Sequence, residues 1–267
     1  MTKNPLLLYF NNEPDQYSMI AGVENSGLLF SEAFTWDALR NWIVTTDVSG
    51  VVTVQMDFLA APTINYLVLG AHRHDAAGFR FSGGSVGLQY WNGAAFVDCL
   101  ATTAITAETN RPSIQEVAAH TVTVNGGYYS YQLTLSGLSI TSDIALPELF
   151  LGDALVMPGI KYGYDPYLEE WTGPSQTTET GRIYESALSR RYSPKPKFNK
   201  LDSAKTVEVR AFIENTLEER AAFWFFYDPL NDAAHGLMCK HRGKTAPVRI
   251  SQPNGITDFT LNMIESV

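Results

Sequence analysis

The sequence predicts a mainly β protein: an N-terminal β-sandwich of the jelly-roll type, followed by a smaller α+β or β-barrel-like ring domain. Two observations lead to this prediction. Before residue 145 the chain shows roughly seven or eight short apolar or alternating stretches, separated by turn residues and without a ten-residue helical pattern. From the segment Ala145–Leu155 onward the composition changes to charged loops, one helix signal and a second set of strands.

The strands of the first half are predicted from local patterns. Between Val51 and Phe58, apolar and polar residues alternate, which is typical of a strand with one buried face. Turns at Asn92-Gly93 and Asn125-Gly126 supply the positive φ angles of tight hairpins. The other predicted strands of this half are 5–10, Ile64–Gly70, Ser85–Trp91, Ala95–Leu100, His120–Val124 and Tyr129–Leu135.

The segment Ala145–Leu155 is the boundary between the two halves. Its apolar run, Leu149-Phe150-Leu151, has the length of a well-buried strand that closes the sandwich. Gly152-Asp153 is a turn-forming pair, so we expect the strand to break there and the second half to begin.

The second half contains weaker signals. Lys205–Ile213 alternates like a strand, and two overlapping capping boxes at Asn215 and Thr216 predict the start of a short helix. Further strands are predicted at 222–227, Leu237–His241, Ala246–Ile250 and Thr257–Ile264. The predicted division is a sandwich at 1–156, an extended linker or arm at 157–205, and an assembly domain at 206–267 that includes parts of the arm.

Composition excludes several kinds of partner. A formal net charge of −9 argues against nucleic acid as the main partner and against anionic membrane surfaces. The N-terminus lacks the features of a signal peptide, and no apolar segment approaches the length of a membrane span. We therefore expect synthesis in the cytoplasm, with Cys99 and Cys239 as reduced, packed thiols, although a disulfide between them is the alternative.

Few motifs indicate chemistry. On a strand, His72 and His74 would face the same way, with Asp75 beside them, a spacing that metal sites use; an exposed polar turn is the favoured alternative. The chain has no nucleophile elbow and no phosphate-binding loop, and its adjacent carboxylates are explained by solvation and helix capping. The prediction is a protein that is not an enzyme and needs no cofactor.

Two sets of residues are candidates for binding. Trp91, with His72, His74 and Asp75, could contact a glycan, although tryptophans and tyrosines of a sandwich usually pack in its core. The second set forms a basic stretch and comprises Arg182, Arg190, Arg191, Lys195 and Lys197. In an acidic protein, these side chains favour contact with an acidic neighbouring subunit over contact with nucleic acid.

The order of pieces from Phe34 to Leu155 resembles the discoidin-like jelly roll, the galactose-binding-like fold of coagulation factor 5/8 type C domains. An early Trp42 is followed by Asp57-Phe58-Leu59, where that family tends to have Asp-Leu-Gly. His74-Asp75 stands near the family's His-Asn position, and Glu148-Leu-Phe-Leu-Gly152 resembles its closing strand. This resemblance covers about half the chain and implies a possible carbohydrate contact.

The second half resembles tail-tip and baseplate proteins of siphophage-like tailed bacteriophages. The residues that carry this resemblance are 152–158, 163–165, 180–184 and Phe223–Asp228. It implies a structural virion subunit that forms a ring of copies around the tail axis, binds other tail proteins and has no catalytic residues. The alternative is a carbohydrate-binding module for attachment to host-surface glycans.

Overall fold

The computed structural model describes residues 4–24, 29–34, 42–70, 84–105, 112–139, 143–146, 148–160, 169–172, 175–177, 183–185, 189–218, 222–231, 236–242 and 257–265. The protein is mainly β, with an N-terminal β-sandwich of the jelly-roll type and an α+β region after it. This confirms the predicted fold class in its main features.

Strands make up most of the described elements. The first half contains β1 Leu6–Asn11, β2 Gln16–Ala21, β3 Val23–Glu24, a 3₁₀ helix Phe30–Phe34, β4 Trp42–Thr45, β5 Val52–Phe58, β6 Tyr66–Gly70, β7 Ser85–Trp91, β8 Phe96–Ala104, β9 Ser113–Glu116, β10 Val124–Asn125, β11 Tyr128–Ser136, β12 Asp143–Leu146 and β13 Glu148–Val156. The second half contains β14 Glu169–Thr172, β15 Ser175–Thr177, β16 Ile183–Glu185, β17 Ser189–Tyr192, β18 Lys197–Leu201, α1 Ser203–Glu218, β19 Phe223–Phe226, β20 Leu237–His241, β21 Thr257–Thr260 and β22 Met263–Glu265.

One layer of the sandwich is a six-stranded antiparallel sheet in the order β2-β5-β11-β7-β8, with β10 paired to β11. Its inner face follows from the period-two patterns of the sequence. Val54 of β5 lies opposite Leu133 of β11, and Leu133 lies opposite Leu88 of β7. All three side chains are buried, so the predicted alternation of β5 is confirmed.

The other layer belongs to a seven-stranded sheet in the order β22-β20-β19-β1-β13-β6-β9. β13 is its longest strand and has a different partner along each half. Residues 148–152 pair with β6, whereas residues 152–156 pair with β1. β1 in turn pairs with β19, so the C-terminal strands continue the sheet of the sandwich.

The predicted break at Gly152-Asp153 is wrong, because β13 runs through this pair to Val156. A Cβ atom at position 152 would lie 2.0 Å from the carbonyl oxygen of Phe10 and 2.8 Å from the Phe150 ring. Glycine is therefore needed here for the close approach of β1, and it does not mark a turn.

Two further expectations for the second half are also wrong. The described C-terminal strands form open sheets and show no barrel. Lys205–Ile213, predicted as a strand, lies inside α1. Val209, Phe212 and Thr216 are buried at helical spacing, while Val207, which suggested alternation, is exposed.

Buried side chains form separate clusters on the two faces of the seven-stranded sheet. The sandwich core contains Trp42 and Tyr131, so these two aromatic side chains pack in the core, as expected for most tryptophans and tyrosines of a sandwich. A second cluster packs α1, through Phe212, against the same face of the sheet. A third contains Trp224 on the opposite face.

Cys99 and Cys239 are free, and each is buried in a different cluster. Burial raises the pKa of the Cys99 thiol to about 12, and burial also raises the pKa of Cys239 well above its usual range. Both side chains therefore behave as packed apolar groups and not as reactive thiolates.

No helix within the described ranges is long and apolar enough to cross a membrane. The boundaries at 156 and 205 between sandwich, arm and assembly domain stay predictions.

Gly152→Ala should be strongly destabilising, because the new methyl group would overlap the Phe10 carbonyl in the middle of the sheet. We expect a loss of about 3 kcal/mol or more in the free energy of unfolding, measured by urea denaturation. Gly159→Ala is the matched control, because a Cβ atom there meets nothing within 4 Å. Equal stability of the two variants would contradict this role for Gly152.

Glu148→Gln should change how stability depends on pH. Burial raises the pKa of the Glu148 carboxyl well above its usual range, with the Trp224 indole N–H donating to Oε1 at 3.2 Å as a smaller, opposing effect. As pH rises above the usual pKa, the unfolded chain releases this proton while the folded protein retains it, so the free energy of unfolding falls. We expect the variant to lose this fall in urea titrations from about pH 4 to about pH 8.

The exposed Glu214→Gln on α1 serves as the control for this titration. A decline of the same size in wild type and in Glu148→Gln would show that another group causes it.

Candidate binding groove

Of the four residues predicted to contact a glycan, the structure describes only Trp91. His72, His74 and Asp75 lie outside the described residues. Trp91 is the last residue of β7, is partly exposed and packs edge-on against Phe96, with ring centroids 5.3 Å apart. Its role in glycan contact stays a prediction.

The predicted subunit-contact residues are spread over several elements. Arg182 lies outside the described residues. Arg190 and Arg191 are on β17, where they lie opposite Trp171 and Glu170 of β14. Lys195 is exposed in the loop that follows, and Lys197 begins β18. Their contact with a neighbouring subunit stays a prediction.

The structure reveals a different site, a groove of about 480 Å³ at one end of the sandwich. We call it the β1 groove, because it lies along the end of β1 between two loops, residues 12–15 and 59–65. Its lining combines aromatic, amide and carboxylate side chains. These residues are Tyr9, Phe10, Asn12, Glu13, Asp15, Phe58, Ala60, Ala61, Pro62, Thr63 and Asp153.

Hydrogen bonds hold the two loops in place. The Asn12 side chain donates from Nδ2 to the carbonyls of Thr63 at 3.1 Å and Leu151 at 2.8 Å. The carboxylate of Asp15 accepts from the backbone N–H of Leu59 at 2.7 Å. Both walls of the groove are thus bonded to the rest of the sandwich, which makes it a preformed concavity.

A bulge in β1 supplies the aromatic side chains. Leu8 pairs with Ala154 and Phe10 with Asp153, so Tyr9 is an extra residue between them. The Phe10 side chain is consequently 61% exposed, while the Tyr9 ring packs on Phe212 of α1 at a centroid distance of 5.0 Å. Burial, with smaller effects of Asp153 and Glu208, raises the pKa of Tyr9.

The polar side chains of the groove are acidic. Glu13, Asp15 and Asp153 contribute three carboxylates, and no lysine, arginine or histidine is among the described lining residues. Oδ1 of Asp153 accepts from the Asn65 side chain at 2.9 Å. Asp153 is nevertheless exposed at the surface of the groove. Such groups accept hydrogen bonds from ligand hydroxyls or amines and repel anions.

Within the described ranges, no three His, Cys, Asp or Glu side chains are grouped so that they could hold a metal ion.

The sequence did not reveal this groove. Asn12, Glu13 and Asp15 lie in a polar stretch with the composition of an ordinary turn, and Asp153 belongs to the pair at which the sequence predicts the end of a strand. The signal that could have indicated them is an acidic and amide-rich cluster placed directly after an apolar strand.

No protein-family model and no curated protein matches this sequence. Among solved structures, similar chains include two carbohydrate-binding domains, CBM32-1 and CBM32-2, of Clostridium perfringens ZmpB in complex with GalNAc. Identity to them is 17% and the TM-score is 0.40, over 55% of this chain and 35% of that chain. This chain thus spans about a third of that structure's length.

Two other similar structures are single modules. Chitosan-binding module 1 of a chitosanase/glucanase from Paenibacillus sp. IK-5 has 13% identity and a TM-score of 0.37, over 54% of this chain and 100% of that chain. A pectin-binding carbohydrate-binding module has 10% identity and a TM-score of 0.39, over 53% and 91%. These structural neighbours are carbohydrate-binding modules, and in each case the similarity covers about half of this chain.

Proposed function

We propose that the protein binds glycans in the β1 groove. The observation that carries this proposal is the meeting of an exposed aromatic face, Phe10, with the carboxylates of Glu13, Asp15 and Asp153 in one preformed concavity. A sugar ring presents hydroxyl donors around its edge and C–H groups on its face, so it can use both kinds of group at once.

Other classes of small ligand fit this groove less well. Phosphorylated or carboxylated ligands would meet three carboxylates without a compensating cation among the described lining residues. A wholly apolar ligand would displace water from the exposed carboxylates of Glu13, Asp15 and Asp153 without offering them a hydrogen bond in exchange. An uncharged or amine-bearing sugar satisfies the polar edge and covers the ring of Phe10. In this proposal the carboxylates bind the sugar and do not act as an acid–base pair.

Phe10→Ala should weaken glycan binding by about tenfold or more, because it removes the aromatic face of the groove. The folding cost should be small, since the side chain is 61% exposed. Binding is measured by screening the protein on a glycan microarray and then titrating the strongest ligand by calorimetry. Asp153→Asn should also reduce binding, because a carboxylate accepts stronger hydrogen bonds than an amide.

Ile20→Ala is the matched control, because it removes a side chain of similar exposure, 58%, on β2 away from the groove. An array without any signal, or equal binding by Phe10→Ala and Ile20→Ala, would overturn the proposed function.

A second candidate function is structural, as a ring-forming subunit of a bacteriophage tail tip or baseplate. Besides the sequence resemblance, one observation favours it. Ile20 and Val23 are 58% and 71% exposed, and they lie on β2 and β3, which are the edge strands of their sheets among the residues that the structure describes. Exposed apolar side chains beside open strand edges favour contact with another polypeptide chain.

This second function predicts ring-shaped oligomers of the purified protein in negative-stain electron microscopy. Ile20→Lys together with Val23→Lys should convert these rings to monomers, because charge at a strand edge opposes pairing. Val48→Lys, at another exposed apolar residue, should leave the rings intact. A protein that stays monomeric at all concentrations would contradict the ring.

A further inference from the structure

A second cavity, of about 300 Å³, lies on the other side of the 59–65 loop. Ala61, Pro62 and Thr63 line both this cavity and the β1 groove, so these three residues form a ridge between them. We call the second cavity the His120 cavity. Its remaining lining comes from Ile64, Asn65, Ala119, His120, Thr121, Val122 and Tyr131.

Hydrogen bonds hold the ridge on its groove side and just beyond its C-terminal end. On the groove side, the Asn12 amide donates to the Thr63 carbonyl at 3.1 Å. At its end, the backbone N–H of Asn65 donates to the Gly152 carbonyl at 2.9 Å. The Asn65 side chain also donates to Asp153 in the groove, so one residue contributes to both cavities. We therefore expect the ridge to keep its position when a ligand binds.

The His120 cavity has a fixed polar wall. Nδ1 of His120 lies 2.8 Å from the Ala118 carbonyl, which can only accept, so Nδ1 carries the hydrogen. Nε2 of His120 lies 2.8 Å from the hydroxyl oxygen of Tyr131, so these two atoms share a hydrogen bond. Tyr131 is fully buried, and the His120 ring lies 4.7 Å from the ring of Tyr90. The ring of His120 is consequently held from both nitrogens and from one side.

The lining of this cavity suits an uncharged polar ligand. Thr63 and Thr121 bring hydroxyls, Pro62 and Val122 bring apolar surface, and no Asp or Glu is among the described lining residues. A volume of about 300 Å³ is at the lower end for ligand pockets. It therefore suits one small cyclic ligand, such as a sugar ring, and not a large one.

We propose that the His120 cavity is a second subsite for the same glycan, so that the ligand is an oligosaccharide lying across the ridge. This inference rests on the proposed function of the β1 groove. The ridge is a single stretch of chain, residues 61–63, so the two cavities are direct neighbours. A chain of three or more rings fills both cavities, with one ring above the ridge.

The proposal is tested by calorimetric titration with two uncharged series, N-acetylated chito-oligosaccharides and β-1,4-linked galacto-oligosaccharides, each from one ring to six. We expect affinity in a binding series to rise by about tenfold or more between one and three or four rings and then to level off. Ala119→Trp should abolish this rise by filling the His120 cavity from an exposed position, while affinity for the single sugar stays unchanged.

Ala101→Trp is the matched control, since Ala101 is exposed on β8 and lines neither cavity. Circular dichroism and thermal melting confirm that both tryptophan variants fold. The second subsite is contradicted if affinity does not depend on the number of sugar rings. It is also contradicted if Ala119→Trp weakens binding of a single sugar as much as binding of a tetrasaccharide. Neither result would contradict glycan binding in the β1 groove. Absence of binding by both series also overturns the second subsite, whereas the proposed function itself fails on the array and on Phe10→Ala.

Discussion

The close approach of the Phe10 carbonyl to Gly152 is the contact on which the rest of the structure depends. It allows β13 to continue from its pairing with β6, along residues 148–152, into its pairing with β1, along residues 152–156. β1 then offers its free edge to β19, and the C-terminal strands follow. A larger residue at 152 would push β1 away and separate the C-terminal strands from the sandwich.

The same contact explains where the groove forms. Because β1 and β6 pair with different halves of β13, the sheet is staggered at Gly152, and the loops that connect both strands to the six-stranded sheet meet there. The bulge at Tyr9 turns Phe10 outward at this point, while Tyr9 packs on α1. The groove is therefore a consequence of the strand register, and its lining residues all lie between Tyr9 and Asp153.

Sequence patterns predicted those features that depend on neighbours along the chain. The alternation from Val52 to Phe58 requires only that one face of a strand is buried, and the structure has it. Gly152-Asp153 has the composition of a turn, and only the partner strand shows why glycine is needed. Likewise, Val207 and Val209 in Lys205–Ile213 fit the alternation of a strand. The helix is stabilised by a contact with β19, in which the ring centroids of Phe212 and Phe223 lie 5.0 Å apart.

The groove could not be predicted for a related reason. Its polar residues occur in segments whose composition is that of ordinary turns, and they meet only through bonds between distant parts of the chain. Asn12, for example, binds the carbonyl of a residue 139 positions away. A local pattern contains no information about such a pair, whereas short hairpins such as Trp91–Phe96 are encoded by adjacent residues.

Asn65 links these levels of structure. Its backbone N–H binds the Gly152 carbonyl, its own carbonyl accepts from Val117, and its side chain binds Asp153. Asn65 is thus bonded to β13, through Gly152 and Asp153, and to Val117, which lies three residues before His120. It also follows directly after the loop residues that form the ridge. Since these bonds are present in the folded protein, the entropic cost of ordering Asn65 and the chain beside it falls on folding and not on ligand binding. A ligand that occupies both cavities would therefore lose little of its binding free energy to rearranging the protein.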